Sequence, residues 1–167
     1  MRAGCGGLRG AGLTFDIQPL VGALPLRFGM ARAEVVARLG KPDGTRYDWD
    51  GSGATDTWRE TRIHVGYDRE GDVAEVGFRP GGGVALSLRG ERLWTATEQP
   101  DPNPALLRLE LAPYAWLGKL IFPSLDIVTA GFHLGDASRY CLTVANDRWN
   151  DAVTDAYTPD LSRYRRP

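Results

Sequence analysis

The stretch at residues 26–42, LRFGMARAEVVARLGKP, admits a narrow range of conformations. Ala31, Val35 and Leu39 recur every four residues with Val36 beside them, while Arg32, Glu34 and Arg38 fall off that stripe. This is the spacing of one apolar face of an α-helix. Gly40 follows Leu39 where a left-handed C-cap belongs, and Pro42 blocks any continuation. The start is less well specified, because Ala31 stands where a Ser or Thr cap would be expected. A helix of roughly nine residues is unstable alone in water, so its Val/Leu face must pack on something else, most simply a sheet.

The rest of the chain supplies that sheet. Leu13, Phe15 and Ile17 alternate with Thr14, Asp16 and Gln18, the period of a half-buried strand, and residues 24–28 add a short apolar piece. Residues 43–59 fit a short strand, a GSG turn at 51–53 and the entry to a longer strand. From Thr61 the alternation is clean, with Thr61, Ile63, Val65 and Tyr67 on one face and Arg62 and His64 on the other. DREGD then turns the chain, and Ala74, Val76 and Phe78 line the return strand. RPGGG is a second turn, after which Val84, Leu86 and Leu88 read as a third strand of the same meander. In DPNPALLRLEL, at residues 101–111, Asp101 or Asn103 is available as a cap and Pro104 suits the first turn, which predicts a second helix. Residues 120–132 are extended, with Pro123 arguing against an unbroken central strand, and 140–144 form another strand. The expected fold is α+β: an antiparallel β-meander sheet covered by one or two short helices. The expected organisation is a flexible N-terminal arm at 1–12, a single α+β domain at 13–160 and a basic C-terminal tail at 161–167.

Composition bounds the function. With 20 basic and 21 acidic residues the formal net charge is -1, and no Lys/Arg block has the density of a phosphate-backbone binder, so no nucleic-acid partner is expected. No apolar run is long enough to span a membrane, and no hydrophobic segment precedes Cys5, so neither a signal peptide nor a membrane role is expected and the cytoplasm is the default location. Cys5 and Cys141 are expected to be unpaired, Cys141 within a strand. No Cys/His cluster has metal-ligand spacing, and FRPGGGVAL lacks the lysine and following helix of a phosphate loop, so no metal and no cofactor are expected.

The segment GMARAEVVARLGKP, preceded by Leu26 and Phe28, resembles the Gly-Met-Thr/Ser-x-x-x-Val-x-x-x-x-Gly-x-Pro segment of the outer-membrane assembly lipoproteins of the BamE/SmpA kind. A similar segment occurs in the secreted β-lactamase inhibitor proteins. The matching residues are Gly29, Met30, Val35, Gly40 and Pro42, supported by Glu34 and Leu39. The resemblance implies a helical edge packed on an antiparallel sheet, and protein binding rather than catalysis. This chain departs from the pattern at Ala31, and no second copy of the segment follows residue 90.

The expected function is a non-catalytic, protein-binding module, an inhibitor or immunity-type protein that acts by occlusion. Tyr47, Trp49 and Trp58, set in a polar Gly-rich tract, are the expected interface anchors. One alternative is a small hydrolase or ligand-binding domain that gathers His133, Asp136 and His64; another is a structural subunit of a larger assembly. Convergence of the two histidines with carboxylates would favour the enzyme, and an exposed aromatic patch would favour the binding module.

Overall fold

The computed structural model describes residues 12–110, 112–146 and 155–164. Except for Gly12, the expected N-terminal arm, Cys5 included, lies outside the described residues. The predicted hairpin is present as β6 (Ile63–Tyr67) and β7 (Val73–Phe78), antiparallel with Val65 opposite Val76. Its DREGD turn is held by the Asp68 carboxylate, which accepts the backbone N–H groups of Glu70 and Asp72 at 3.1 and 2.9 Å.

Around this hairpin grows an eight-stranded antiparallel sheet. On one side stand β5 (Ala54–Trp58) and β4 (Gly44–Tyr47). On the other stand β13 (Cys141–Ala145), β12 (Ile127–Ala130), β11 (Lys119–Phe122) and β10 (Tyr114–Trp116). The order is β10-β11-β12-β13-β7-β6-β5-β4. As Pro123 implied, the 120–132 stretch is broken, here by a 3-10 turn at Pro123–Leu125 between β11 and β12.

The strand expected to extend the meander does not do so. β8 (Ala85–Leu88) belongs to a second sheet, where it runs parallel to β1 (Thr14–Gln18) with Phe15 opposite Leu86. That sheet is completed by β2 (Gly22–Leu24), β3 (Leu26–Arg27) and β9 (Glu91–Trp94), in the order β3-β2-β1-β8-β9. Two facts explain the change. The free side of β7 is taken by β13, with Leu142 opposite Phe78. The connecting glycines also pass tightly over the neighbouring loop, since a Cβ on Gly82 would lie 1.8 Å from the Thr61 carbonyl oxygen. Alternation specifies a buried face, and either sheet offers one.

The facing layers meet along rows of buried side chains. One row crosses six strands of the large sheet as Leu120, Thr129, Leu142, Phe78, Ile63 and Trp58, all buried. Phe15 of the small sheet meets Phe78 near its middle, ring centroids 4.9 Å apart. At one end, α2 (Asn103–Leu109) covers β12 and buries Leu106. Of the two cap candidates, Asp101 accepts the Asn103 N–H at 2.9 Å, while Asn103 is fully buried: Thr129 Oγ1 donates to Asn103 Oδ1 at 2.7 Å, and Asn103 Nδ2 donates to Tyr164 Oη at 2.8 Å. Tyr164 in turn donates to Asp101 Oδ2 at 2.6 Å, and Leu161 packs on the core. Leu161 and Tyr164 are therefore built into the domain.

At the other end lies α1 (Arg32–Leu39), with Val35 fully buried, a burial that contributes roughly 2 kcal/mol. The missing hydroxyl cap is offset by Glu34, whose Oε2 accepts the Ala31 N–H at 3.3 Å. Gly40 ends the helix at φ 84° with its N–H on the Val36 carbonyl. The chain before α1 is stitched to β7, as Gly29 N–H donates to Val73 O and Val73 N–H to Met30 O, both at 2.9 Å.

The second inner row runs Phe122, Ile127, Val144, Val76, Val65, Asp56 and Thr45. Asp56 is 0% exposed, and a buried carboxylate demands partners. Arg32 supplies two bonds, Nε to Oδ2 at 2.8 Å and Nη2 to Oδ1 at 2.6 Å, and Thr45 Oγ1 adds a third at 2.6 Å. Arg32→Ala should cost about 3 kcal/mol in chemical denaturation, the low end for opening a buried pair because the Arg32 side chain is itself 35% exposed. Asp56→Ala should cost less, since the freed guanidinium can turn to water. The reverse order would contradict this account.

Candidate functional site

β4 and β5 form the outermost hairpin of the large sheet. The pair Asp48–Gly53 closes its ladder, with Asp48 N–H on the Gly53 carbonyl at 3.0 Å. The tip is fixed by Gly51 N–H on Asp48 O at 3.1 Å and by Asp50 Oδ1 accepting the Ser52 N–H at 2.9 Å. Bonded and unbonded pairs alternate along an antiparallel ladder, so the peptide groups of Thr45 and Tyr47 point away from β5. Every residue of β4 is exposed.

Tyr47 is 68% exposed and Trp49 97% exposed, so both present their rings at the surface. Trp58 does not join them. It is 6% exposed and its Nε1 donates to the Gly40 carbonyl at 3.1 Å, so it fills the core beneath the end of α1. The correction follows from parity: Trp58 lies in the same inward set as Asp56, opposite Ile63. An open groove of about 700 Å³ runs between α1 and β4, lined by Ala33, Val36, Pro42 and Gly44 with Arg32 and Lys41. The hairpin base is rigid, because Thr45 belongs to the Arg32–Asp56 cluster, and Asp56 followed by Tyr47 holds the Arg32 pKa above its ordinary value.

The other residues singled out in the sequence are scattered. His64 is on β6, three strand positions from β12, after which His133 occurs in a 3-10 turn. Three spacings amount to roughly 14 Å before side chains are counted. Burial lowers the His133 pKa, helped by Arg163 and opposed by Asp101, and its Nδ1 is buried without a hydrogen-bond partner among the described residues. Asp136 is occupied locally, accepting the Ser138 N–H and hydroxyl at 3.1 and 2.6 Å. Among the described residues no group of three or more His, Cys, Asp and Glu side chains could hold a metal ion. No helix there is long and apolar enough to cross a membrane.

His64 has a different neighbour, one not singled out in the sequence. On the outer face of the large sheet His64 stands opposite Gly77, and Glu75 opposite Gly66. Each ionisable side chain lies flat over its glycine. A Cβ on Gly77 would fall 2.1 Å from His64 Nε2, and one on Gly66 would fall 2.4 Å from Glu75 Cγ. The signal was present as His-x-Gly in one strand and Glu-x-Gly in the next, but it needs the register to be read. Burial, then Arg79 and Arg46, pushes the His64 pKa down to about 4. Burial also raises Glu75, against the pull of Lys119 and Arg46. Cys141, on the same face, is raised by burial too, which makes it a poor nucleophile.

The chain matches no family model, no curated protein and no solved structure. Its site must therefore be read from its own geometry.

The His64 environment has a consequence in acid. With its folded pKa near 4 and an ordinary value of 6.5, the unfolded chain binds a proton that the folded chain refuses between those values. Stability from neutral His64 is thus complete above pH 6.5 and is lost as pH falls toward 4. Glu75 acts with the opposite sign, because its raised folded pKa favours the folded state on acidification. His64→Phe keeps a flat ring on Gly77 and removes the titration. Denaturation curves for this variant should show a smaller drop between neutral pH and pH 4, by on the order of 3 kcal/mol. An unchanged drop would mean that His64 is not the group responsible.

Proposed function

We propose that this protein is a non-catalytic, protein-binding module of the inhibitor or immunity type, and that its contact surface is centred on the β4–β5 hairpin. The observation that carries the reading is Trp49, 97% exposed at the tip of a tightly held turn, with Tyr47 exposed two residues before it. An indole ring in water is unfavourable, and large aromatics on a rigid base lose little entropy on binding, so they serve as anchors. The groove between α1 and β4 offers adjoining relief, and Arg46, Lys41, Asp48 and Asp50 supply charges of both signs around the aromatic pair. Action is by occlusion: docking this edge on a partner covers the partner's own working surface. A cytoplasmic setting belongs to the same reading, and the free, largely buried Cys141 is compatible with a reducing compartment.

The hydrolase alternative draws no support from the geometry, because His64, His133 and Asp136 share no centre. The likeness of residues 29–42 to the assembly lipoproteins and β-lactamase inhibitor proteins favours binding over catalysis. It rests, however, on residues that build α1 and its junction with β7, and Trp49 lies outside it.

The test is affinity capture followed by measurement of the purified pair. A single protein retained in fixed ratio by the wild type should bind Trp49→Ala roughly thirtyfold more weakly, as expected when a hot-spot side chain worth about 2 kcal/mol is truncated. The thermal midpoint of Trp49→Ala should be unchanged, since the ring touches solvent on nearly all sides. Equal affinity of the two proteins for that partner would sink the proposed surface.

A further inference from the structure

The two edges of the large sheet end differently. Along β10 the chain's own C-terminal part covers the edge, where Tyr157 bridges Ala115 with reciprocal backbone bonds of 2.8 and 3.0 Å. Along β4 no described residue pairs with the outward side, and the outward peptide groups are those of Thr45 and Tyr47. A bare edge is a template for another strand. Its protections are its shortness and the charge of Arg46; Gly44–Tyr47 contains no proline, and its pairing with β5 carries no bulge.

The side chains along this edge choose among the possible occupants. Arg46 and Asp48 have the same parity and both act on Glu75, so both stand on the outer face of the sheet. Thr45 has the opposite parity and faces inward, where it bonds Asp56; Tyr47 shares its parity. Two copies of this edge, related by a two-fold axis and running antiparallel, can pair about Thr45, Arg46 or Tyr47. Pairing about Arg46 sets the two guanidinium groups directly opposite each other, which is repulsive. Pairing about Thr45 sets Arg46 against Gly44 and Asp48 against Pro42, and satisfies neither charge. Pairing about Tyr47 sets Arg46 against Asp48 twice over and places the two Tyr47 rings opposite each other. Of the three registers, this one joins opposite charges and an aromatic pair at once.

We propose that the protein self-associates through β4, with two copies pairing antiparallel about Tyr47 so that two eight-stranded sheets join edge to edge. This rests on the reading of the β4–β5 hairpin as a protein-contact surface, and it names one occupant of that surface. A second copy covers Tyr47 and the edge beside Trp49, so self-association and binding of another partner at this hairpin exclude each other. The contact is short, which makes it a reversible monomer–dimer equilibrium and not a permanent dimer.

Sedimentation velocity on the full chain, from low micromolar to near-millimolar protein, tests this. The wild type should pass from monomer to dimer as concentration rises. Arg46→Asp turns both ion pairs into like-charge contacts and should weaken the dimer at least about tenfold, as should Asp48→Arg. The double variant Arg46→Asp/Asp48→Arg restores the pairs in mirror order and should return to within about threefold of the wild type. Tyr47→Pro removes an outward N–H that the hairpin itself does not use. It should abolish the dimer with the circular dichroism spectrum unchanged. A wild type that stays monomeric throughout overturns the proposal, as does a dimer indifferent to Arg46→Asp and Tyr47→Pro. Single reversals that weaken the dimer without rescue by the double variant overturn the Tyr47 register. Trp49-dependent capture of another protein by a strictly monomeric chain would refute self-association and leave the binding function standing. A dimer with the expected charge rescue, together with capture indifferent to Trp49, would do the opposite.

Discussion

The buried carboxylate of Asp56 organises one half of the molecule. It sits fully enclosed between Val65 and Thr45 at the end of an apolar row, so it is tolerable only with donors around it. Arg32, the first residue of α1, answers with a two-pronged bond, and its guanidinium also lies 5.6 Å from the Tyr67 ring centroid. The helix is too short to persist unaided, and this pairing together with Val35 determines where it lies. Because Thr45 completes the cluster, the same interaction sets the base of the β4–β5 hairpin. The exposed Tyr47 and Trp49 are thus held at one remove by an ion pair in the core.

At the opposite end a chain of hydrogen bonds that ends on the Asp101 carboxylate plays the corresponding part. Thr129, Asn103, Tyr164 and Asp101 link β12, α2 and the 3-10 turn at Ser162–Tyr164, and each polar atom they bury is used. Between the two ends the row from Leu142 through Phe78 and Ile63 to Trp58 packs apolar side chains. A core of this kind is indifferent to exchange of one aliphatic side chain for another of like volume. The polar ends are not, and they specify which helix covers which strands.

The outer face of the large sheet follows another logic. Two glycines open space on adjacent strands, and His64 and Glu75 each lie down in the space the other strand provides. Burial is the largest influence on each and moves both toward their neutral forms. The arrangement packs ionisable groups by shape, and its cost emerges in acid, where His64 regains its proton.

Local pattern determined a good deal of this protein. The i, i+4 stripe of Val35 and Leu39 with Gly40 behind it made α1, the alternation from Ile63 to Phe78 made a hairpin, and Pro104 and Pro123 marked a helix start and a strand break. The α+β class follows from those elements alone, since a short helix and one-faced strands must cover each other. Partner choice did not follow. Trp58 and Trp49 share a Gly-rich tract, yet strand parity buries one and the turn at Gly51 throws the other into solvent. β8 repeats the apolar alternation of β7 and leaves for another sheet because β13, some sixty residues on, already occupies the vacant side. Arg32 reads as a surface residue by helical period and becomes a core ligand only when Asp56 is set across from it. Periodicity records which face of an element avoids water, and tertiary structure decides what that face meets. The helix at residues 32–39 could therefore be read from its own residues, whereas its anchor, its neighbouring edge and the aromatic surface beyond it needed the register of strands far along the chain.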